Sequence, residues 1–156
     1  MQSNFSNAGT VQFLSTRLLS AATQRATPVG YLHSTIDDLW THFYTMVWAV
    51  VNCQAIRKPT GGVQNARNQL RDSRREKGVL WVLQGPFVSE DSPLVTEVKT
   101  LLLDWFNALG RLNVKYETGL AQERGSSLRA TMELAMLEGI LEFVSAYRQW
   151  KEAKGA

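Results

Sequence analysis

Arginine is the residue type whose spacing in this chain carries chemical content. Arg67, Arg71, Arg74 and Arg75 stand at i, i+4, i+7 and i+8, which on a helix places all four on one face. Guanidinium groups set out this way repeat about every 6 Å along the axis, close to the phosphate step of an extended single strand. Each offers phosphate a planar two-pronged donor that lysine lacks. They belong to Arg57–Lys77, where seven basic residues face only Asp72 and Glu76, a local charge of +5 in a chain of net charge +3. The remainder is therefore at −2. That asymmetry points to a polyanionic partner. A solvated face, with Asp72 and Glu76 absorbing two of the charges, is the plainer alternative.

A second anion-friendly place is Arg124-Gly125-Ser126-Ser127, followed by Arg129. Small residues at a helix start leave backbone N–H groups open to phosphate. The plainer reading there is a capping serine. Arg111, just past Gly110, adds a third cation near an expected helix end.

No constellation for bond chemistry accompanies these cations. His33 and His42 have no nucleophilic Ser or Cys motif beside them. No phosphate-cradling lysine loop, dinucleotide glycine turn or His/Cys metal spacing occurs. Glu133, Glu138 and Glu142 lack an orienting base, and Glu138 and Glu142 are like charges at i, i+4, which suits a solvated or intersubunit face. The sequence therefore predicts no enzyme, no cofactor and no metal. Cys53 is the one cysteine, so no internal disulfide is available and a reducing compartment suits the chain. The opening stretch MQSNFSNAGT reads as neither a secretory signal nor a transit peptide.

The elements that must position the arginines read as helices. Expected helices run over Val11–Gln24, Ser34–Arg57 and Val63–Lys77, then from Ser92-Pro93 to Leu109, with Gly110 as a stop. Arg111–Gly125 reads as irregular, and a last helix runs from Ser126 or Ser127 to Lys154. Val79-Leu80-Trp81-Val82-Leu83 reads as extended. At 156 residues and 44% hydrophobic composition, one domain over 1–156 is expected. Its class is mostly all-α: an antiparallel four-helix bundle with a small extended or β patch. Leu39–Ile56 carries no formal charge, yet Asp37, Asp38, Thr41, His42, Thr45 and Asn52 share one helical side, so stable membrane insertion is not expected.

The last helix is too apolar for one modest bundle. Leu128, Met132, Leu134, Ala135, Met136, Leu137, Ile140, Leu141, Phe143, Val144, Tyr147 and Trp150 cover well over half its circumference, which invites a second protein surface or an internal contact with Val11–Gln24.

Four stretches, in the same order along the chain, resemble the coat proteins of rod-shaped plant RNA viruses, with the tobamovirus type as the nearest pattern. Gln12-Phe13-Leu14-Ser15 echoes that family's Gln-Phe…Leu-Ser, and Gln64-Asn65-Ala66-Arg67 its Gln-x-Ala-Arg. Ser92-Pro93-Leu94-Val95-Thr96, running through Leu101-Leu102 to Asp104, Phe106 and Arg111, is similar to its Asp-Pro-Leu-Val helix. Gly125-Ser126-Ser127-Leu128-Arg129 resembles the start of the helix that packs small residues against bases. The resemblance spans Gln12 to Tyr147, most of the chain. It departs where the family shows Arg-Phe-Pro-Asp, for which Ser73-Arg74-Arg75 is the nearest match, and in a shorter Arg111–Ser126 segment.

That resemblance implies a capsid protein that forms a helical homopolymer around single-stranded RNA, in virions and in the host cell cytoplasm. It implies RNA binding by Arg67, Arg71, Arg111, Arg124, Ser126, Ser127 and Arg129, and a structural salt bridge between Arg74 and Asp104. It also implies intersubunit carboxylates at Glu76 with Glu90 or Asp91, and at Glu117 and Glu123. The alternative function is a cellular helical-bundle adaptor whose basic helix binds acidic protein or lipid surfaces.

Overall fold

The computed structural model describes residues 35–53, 61–71, 75–85, 93–122 and 126–155. Those residues form five α-helices and no strand: α1 (Thr35–Val51), α2 (Gly61–Arg71), α3 (Arg75–Gln84), α4 (Pro93–Gln122) and α5 (Ser126–Ala153). The expected helix over Val11–Gln24 lies outside them. Among the described residues, no helix is long and apolar enough to cross a membrane.

α1 buries Ile36, Leu39, Phe43, Tyr44, Val47, Val50 and Val51, the spacing of a single helical stripe, and with them Asp37, which the sequence places on the polar side. Asp37 and Asp38 occupy its first turn, where carboxylates favour the exposed N–H end of the helix. His42 is exposed, as a polar-face residue should be. The helix ends at Val51, short of the expected Arg57. Asn52 bonds back to the Trp48 carbonyl through both its backbone N (2.9 Å) and its side-chain Nδ2 (3.0 Å).

The largest departures from expectation fall between residues 61 and 85. Instead of one helix followed by a strand, α2 stops at Arg71 and α3 begins at Arg75. Val79–Leu83 is helical, so the expected β patch is not there. Val79, Val82 and Leu83 are buried at i, i+3 and i+4, a spacing that serves a helix packed on a core. A short run of β-branched residues carries no periodicity of its own, and packing settled its conformation. Gly78 lies inside α3, at a point of close approach to α2. A Cβ there would lie 2.9 Å from the Leu70 backbone N and 3.1 Å from the Gln69 carbonyl carbon.

α4 begins at Pro93, as the proline at a first helical position predicts, but it passes through Gly110 and continues to Gln122. The expected irregular segment 111–122 is helical. Val95, Leu102, Leu109 and Tyr116 are buried at strict seven-residue intervals. That stripe outweighs the ~1 kcal/mol a mid-helix glycine costs. α5 spans Ser126–Ala153, close to the sequence reading.

α4 and α5 form a long antiparallel hairpin in which facing residue numbers sum to about 250. Trp150 Nε1 donates to Glu97 O (3.0 Å) at one end. Trp105 stacks on Phe143 (centroids 4.7 Å, 4° between planes) and donates to its carbonyl at 3.1 Å. Lys115 pairs with Glu138 at 2.7 Å, and nearer the hairpin tip a Cβ on Gly119 would lie 3.1 Å from Thr131 Cγ2. α1 packs across this hairpin. A Cβ on Gly139 would lie 2.5 Å from Leu39 Cδ1 and 2.8 Å from Leu112 Cδ1, so the three helices converge there. Further along, Trp40 and Phe43 each place their rings 5.9 Å from Phe106.

Candidate nucleic-acid interface

α2 carries Arg67 and Arg71 and no acidic residue. Val63, Ala66 and Leu70 anchor it to the core at i, i+3 and i+7. Gln64, Asn68 and Arg71 follow one another along its exposed side. The amides order themselves along the helix, Gln64 Nε2 donating to Asn68 Oδ1 at 3.2 Å and Gln69 Nε2 to Asn65 Oδ1 at 3.3 Å. Arg71 is exposed and forms no ion pair among the described residues. Arg67 is half-buried, and its Nε donates to the Val51 carbonyl at 3.0 Å. A cation there suits a carbonyl at the negative end of α1.

The four-arginine helical face expected from the spacing is not continuous. Arg67 and Arg71 lie on α2 and Arg75 opens α3, with Arg74 outside the described residues. The Arg74–Asp104 bridge therefore lies outside them too, and Asp104 is exposed on α4.

Arg111 is 61% exposed and pairs with Glu142 across the hairpin. It lines an open groove of about 320 Å³ with Asp104 and Asn107 of α4 and Glu142, Ser145 and Gln149 of α5. An anion entering there meets Asp104 and Glu142 as well as one guanidinium. Arg129, 83% exposed, bonds Glu133 of its own helix at 2.9 Å. Ser126 opens α5 and Ser127 is exposed in its first turn, while Arg124 lies outside the described residues. Of the expected intersubunit carboxylates, Glu117 is exposed on α4 and Glu76 lies on α3. Glu90, Asp91 and Glu123 fall outside the described residues.

Among the described residues of one chain, Arg67, Arg71, Arg111 and Arg129 do not gather. α1 runs antiparallel to α4, so Val51 and Arg67 sit toward the Glu97 end of the hairpin, offset from Arg111 by roughly 15 Å at 1.5 Å per residue. Arg129 lies roughly 20 Å from the level of Glu142, and about 140° around α5 from it. A continuous phosphate track therefore requires several copies.

Sequence reasoning missed the two cross-hairpin pairs, Arg111–Glu142 and Lys115–Glu138. Glu138 and Glu142 looked like a repelling pair because their partners lie 23 and 31 residues away. The seven-residue repeat continuing beyond Gly110 was the available signal. The chain matches no protein-family model, and no curated protein or solved structure matches it.

Proposed function

We propose that this chain is a structural coat protein that self-assembles into a helical rod or filament and packages single-stranded RNA through arginine–phosphate contacts. The observation that carries this reading is α2, an acid-free helix with an outward row of Gln64, Asn68 and Arg71, set within a segment of charge +5. Amides and a guanidinium at helical spacing suit a sugar–phosphate backbone, which has no sequence to be read. Arg71, Arg111, Arg124 and Arg129 neutralise phosphates, and Arg67 contributes its Nη groups while its Nε serves Val51. Ser126 and Ser127 meet sugars or bases at the α5 N-terminus.

The ion pairs of Arg111 and Arg129 do not oppose this. Exposed pairs are worth about 0–1 kcal/mol, so a guanidinium can exchange carboxylate for phosphate at little cost. In this reading α1, α4, α5 and the α2–α3 arm are the layers of an antiparallel four-helix bundle, and the protein resides in virions and the host cytoplasm. A contact between unlike surfaces that fails to close produces a helix instead of a ring.

Imaging of the purified protein with and without single-stranded RNA tests the proposal. RNA-dependent filaments that shield the RNA from nuclease are expected. Compact particles that bind anionic vesicles or acidic peptides, with no filament under any condition, would replace it with the adaptor reading.

A further inference from the structure

α5 is apolar on two opposite sides. Its inner side carries Met132, Ala135, Gly139 and Phe143 against α1 and α4. Its outer side leaves Leu134 (62%), Leu137 (52%), Leu141 (67%) and Val144 (42%) exposed, flanked by Ile140 and Tyr147. The first four follow a 3-4-3 spacing, the a/d seam of a two-helix coiled coil, and Ile140 and Tyr147 widen it along one edge. A continuous exposed stripe of large aliphatic side chains is uncommon on a protein that acts alone. We propose that this face is a seam between two copies of the chain, in which α5 packs antiparallel on α5 of the partner.

Charge sets the direction. Glu133, bonded to Arg129, lies on the N-terminal part of the stripe, and Arg148 and Lys151 lie with Glu152 on its C-terminal part. A parallel pair would set Arg148 beside its own copy. An antiparallel pair centred between Leu137 and Leu141 sets Leu137 against Leu141 and Leu134 against Val144 of the other copy. It brings each Glu133 toward the other copy's Arg148 and Lys151, and it places the two copies of Ile140 side by side at the two-fold axis. The seam buries what one chain leaves in water, and its alternating a/d layers need no rearrangement of the inner face. Such an interface closes at two copies, so growth to a rod draws on a second, different contact. The inference rests on the self-association part of the function proposed above and not on its RNA part.

The test uses full-length, RNA-free protein, so its outcome is independent of RNA packaging. Sedimentation velocity across a concentration series should show a reversible dimer. Leu137→Glu with Leu141→Glu, which sets like charges against each other across the antiparallel seam, should weaken it by on the order of a hundredfold while leaving helicity unchanged, because both residues are exposed in the single chain. In a Cys53→Ser background, Ile140→Cys should form disulfide-linked dimers on oxidation and Leu134→Cys should not. Cross-linking at 134 and not at 140 would overturn the antiparallel pairing. A wild-type monomer at every concentration would overturn the seam. A monomer that the double substitution unfolds would also overturn it, showing that residues 1–34 of the same chain cover the face.

Discussion

The Arg67 guanidinium of α2 reaches back to the last residue of α1, donating Nε–H to the Val51 carbonyl at 3.0 Å. One side chain thereby ties two helices and offsets the negative end of α1. Arg67→Ala should lower stability by roughly 1–2 kcal/mol, since a half-buried charged hydrogen bond and a helix-end interaction are lost together. Urea unfolding followed by circular dichroism measures this. Arg71→Ala, at an exposed helix end, should change stability by no more than about 0.5 kcal/mol. Equal effects would show that the Val51 contact contributes nothing.

Two glycines should respond in opposite directions. Gly110 lies within α4 with open space where a Cβ would stand, so Gly110→Ala should stabilise by about 0.5–1 kcal/mol through helix propensity. Gly78 faces backbone, with Leu70 N 2.9 Å from the position of a Cβ, and Gly78→Ala should destabilise by about 1–3 kcal/mol. Thermal melts of the two variants decide it. Stabilisation by both would mean that α2 and α3 do not approach as closely as described.

If Arg111 binds phosphate as proposed, its partner Glu142 is the competitor. Glu142→Gln should therefore raise affinity for a single-stranded RNA oligomer, and Arg111→Ala should reduce the slope of log affinity against log salt by about one. Filter binding at several salt concentrations provides both readings. If Glu142→Gln leaves affinity unchanged while Arg71→Ala lowers it, RNA runs along α2 and bypasses the hairpin groove.

Carboxylates crowded across a seam between copies repel when ionised, and assembly relieves that repulsion by taking up protons. In the proposed assembly, a contact that brings together Glu76 with Glu90 or Asp91 should thus become more favourable as pH falls from about 8 to 5, the more so at low salt. Light scattering during pH titration follows it. A midpoint indifferent to pH over that range would remove these carboxylates from the contact.

The sequence by itself determined those features whose cause is local. Pro93 starts α4 because its fixed φ and missing N–H suit a first turn. α5 runs from Ser126 to Ala153 because its apolar residues persist without a breaker. Its surplus of apolar surface was legible too, since counting positions around a helix needs no partner. What required the tertiary structure was every choice between locally comparable options. Val79–Leu83 became helical because Val82 and Leu83 found a core to fill, and Gly110 failed to stop α4 because Leu109, Leu112 and Tyr116 were already buried on both sides of it. Arg67 and Arg111 drew their partners from residues 16 and 31 positions away. Local propensities differ by about 1 kcal/mol per residue or less, whereas burying one large apolar side chain is worth about 1.5–3 kcal/mol, so contacts between distant segments prevail wherever the two disagree.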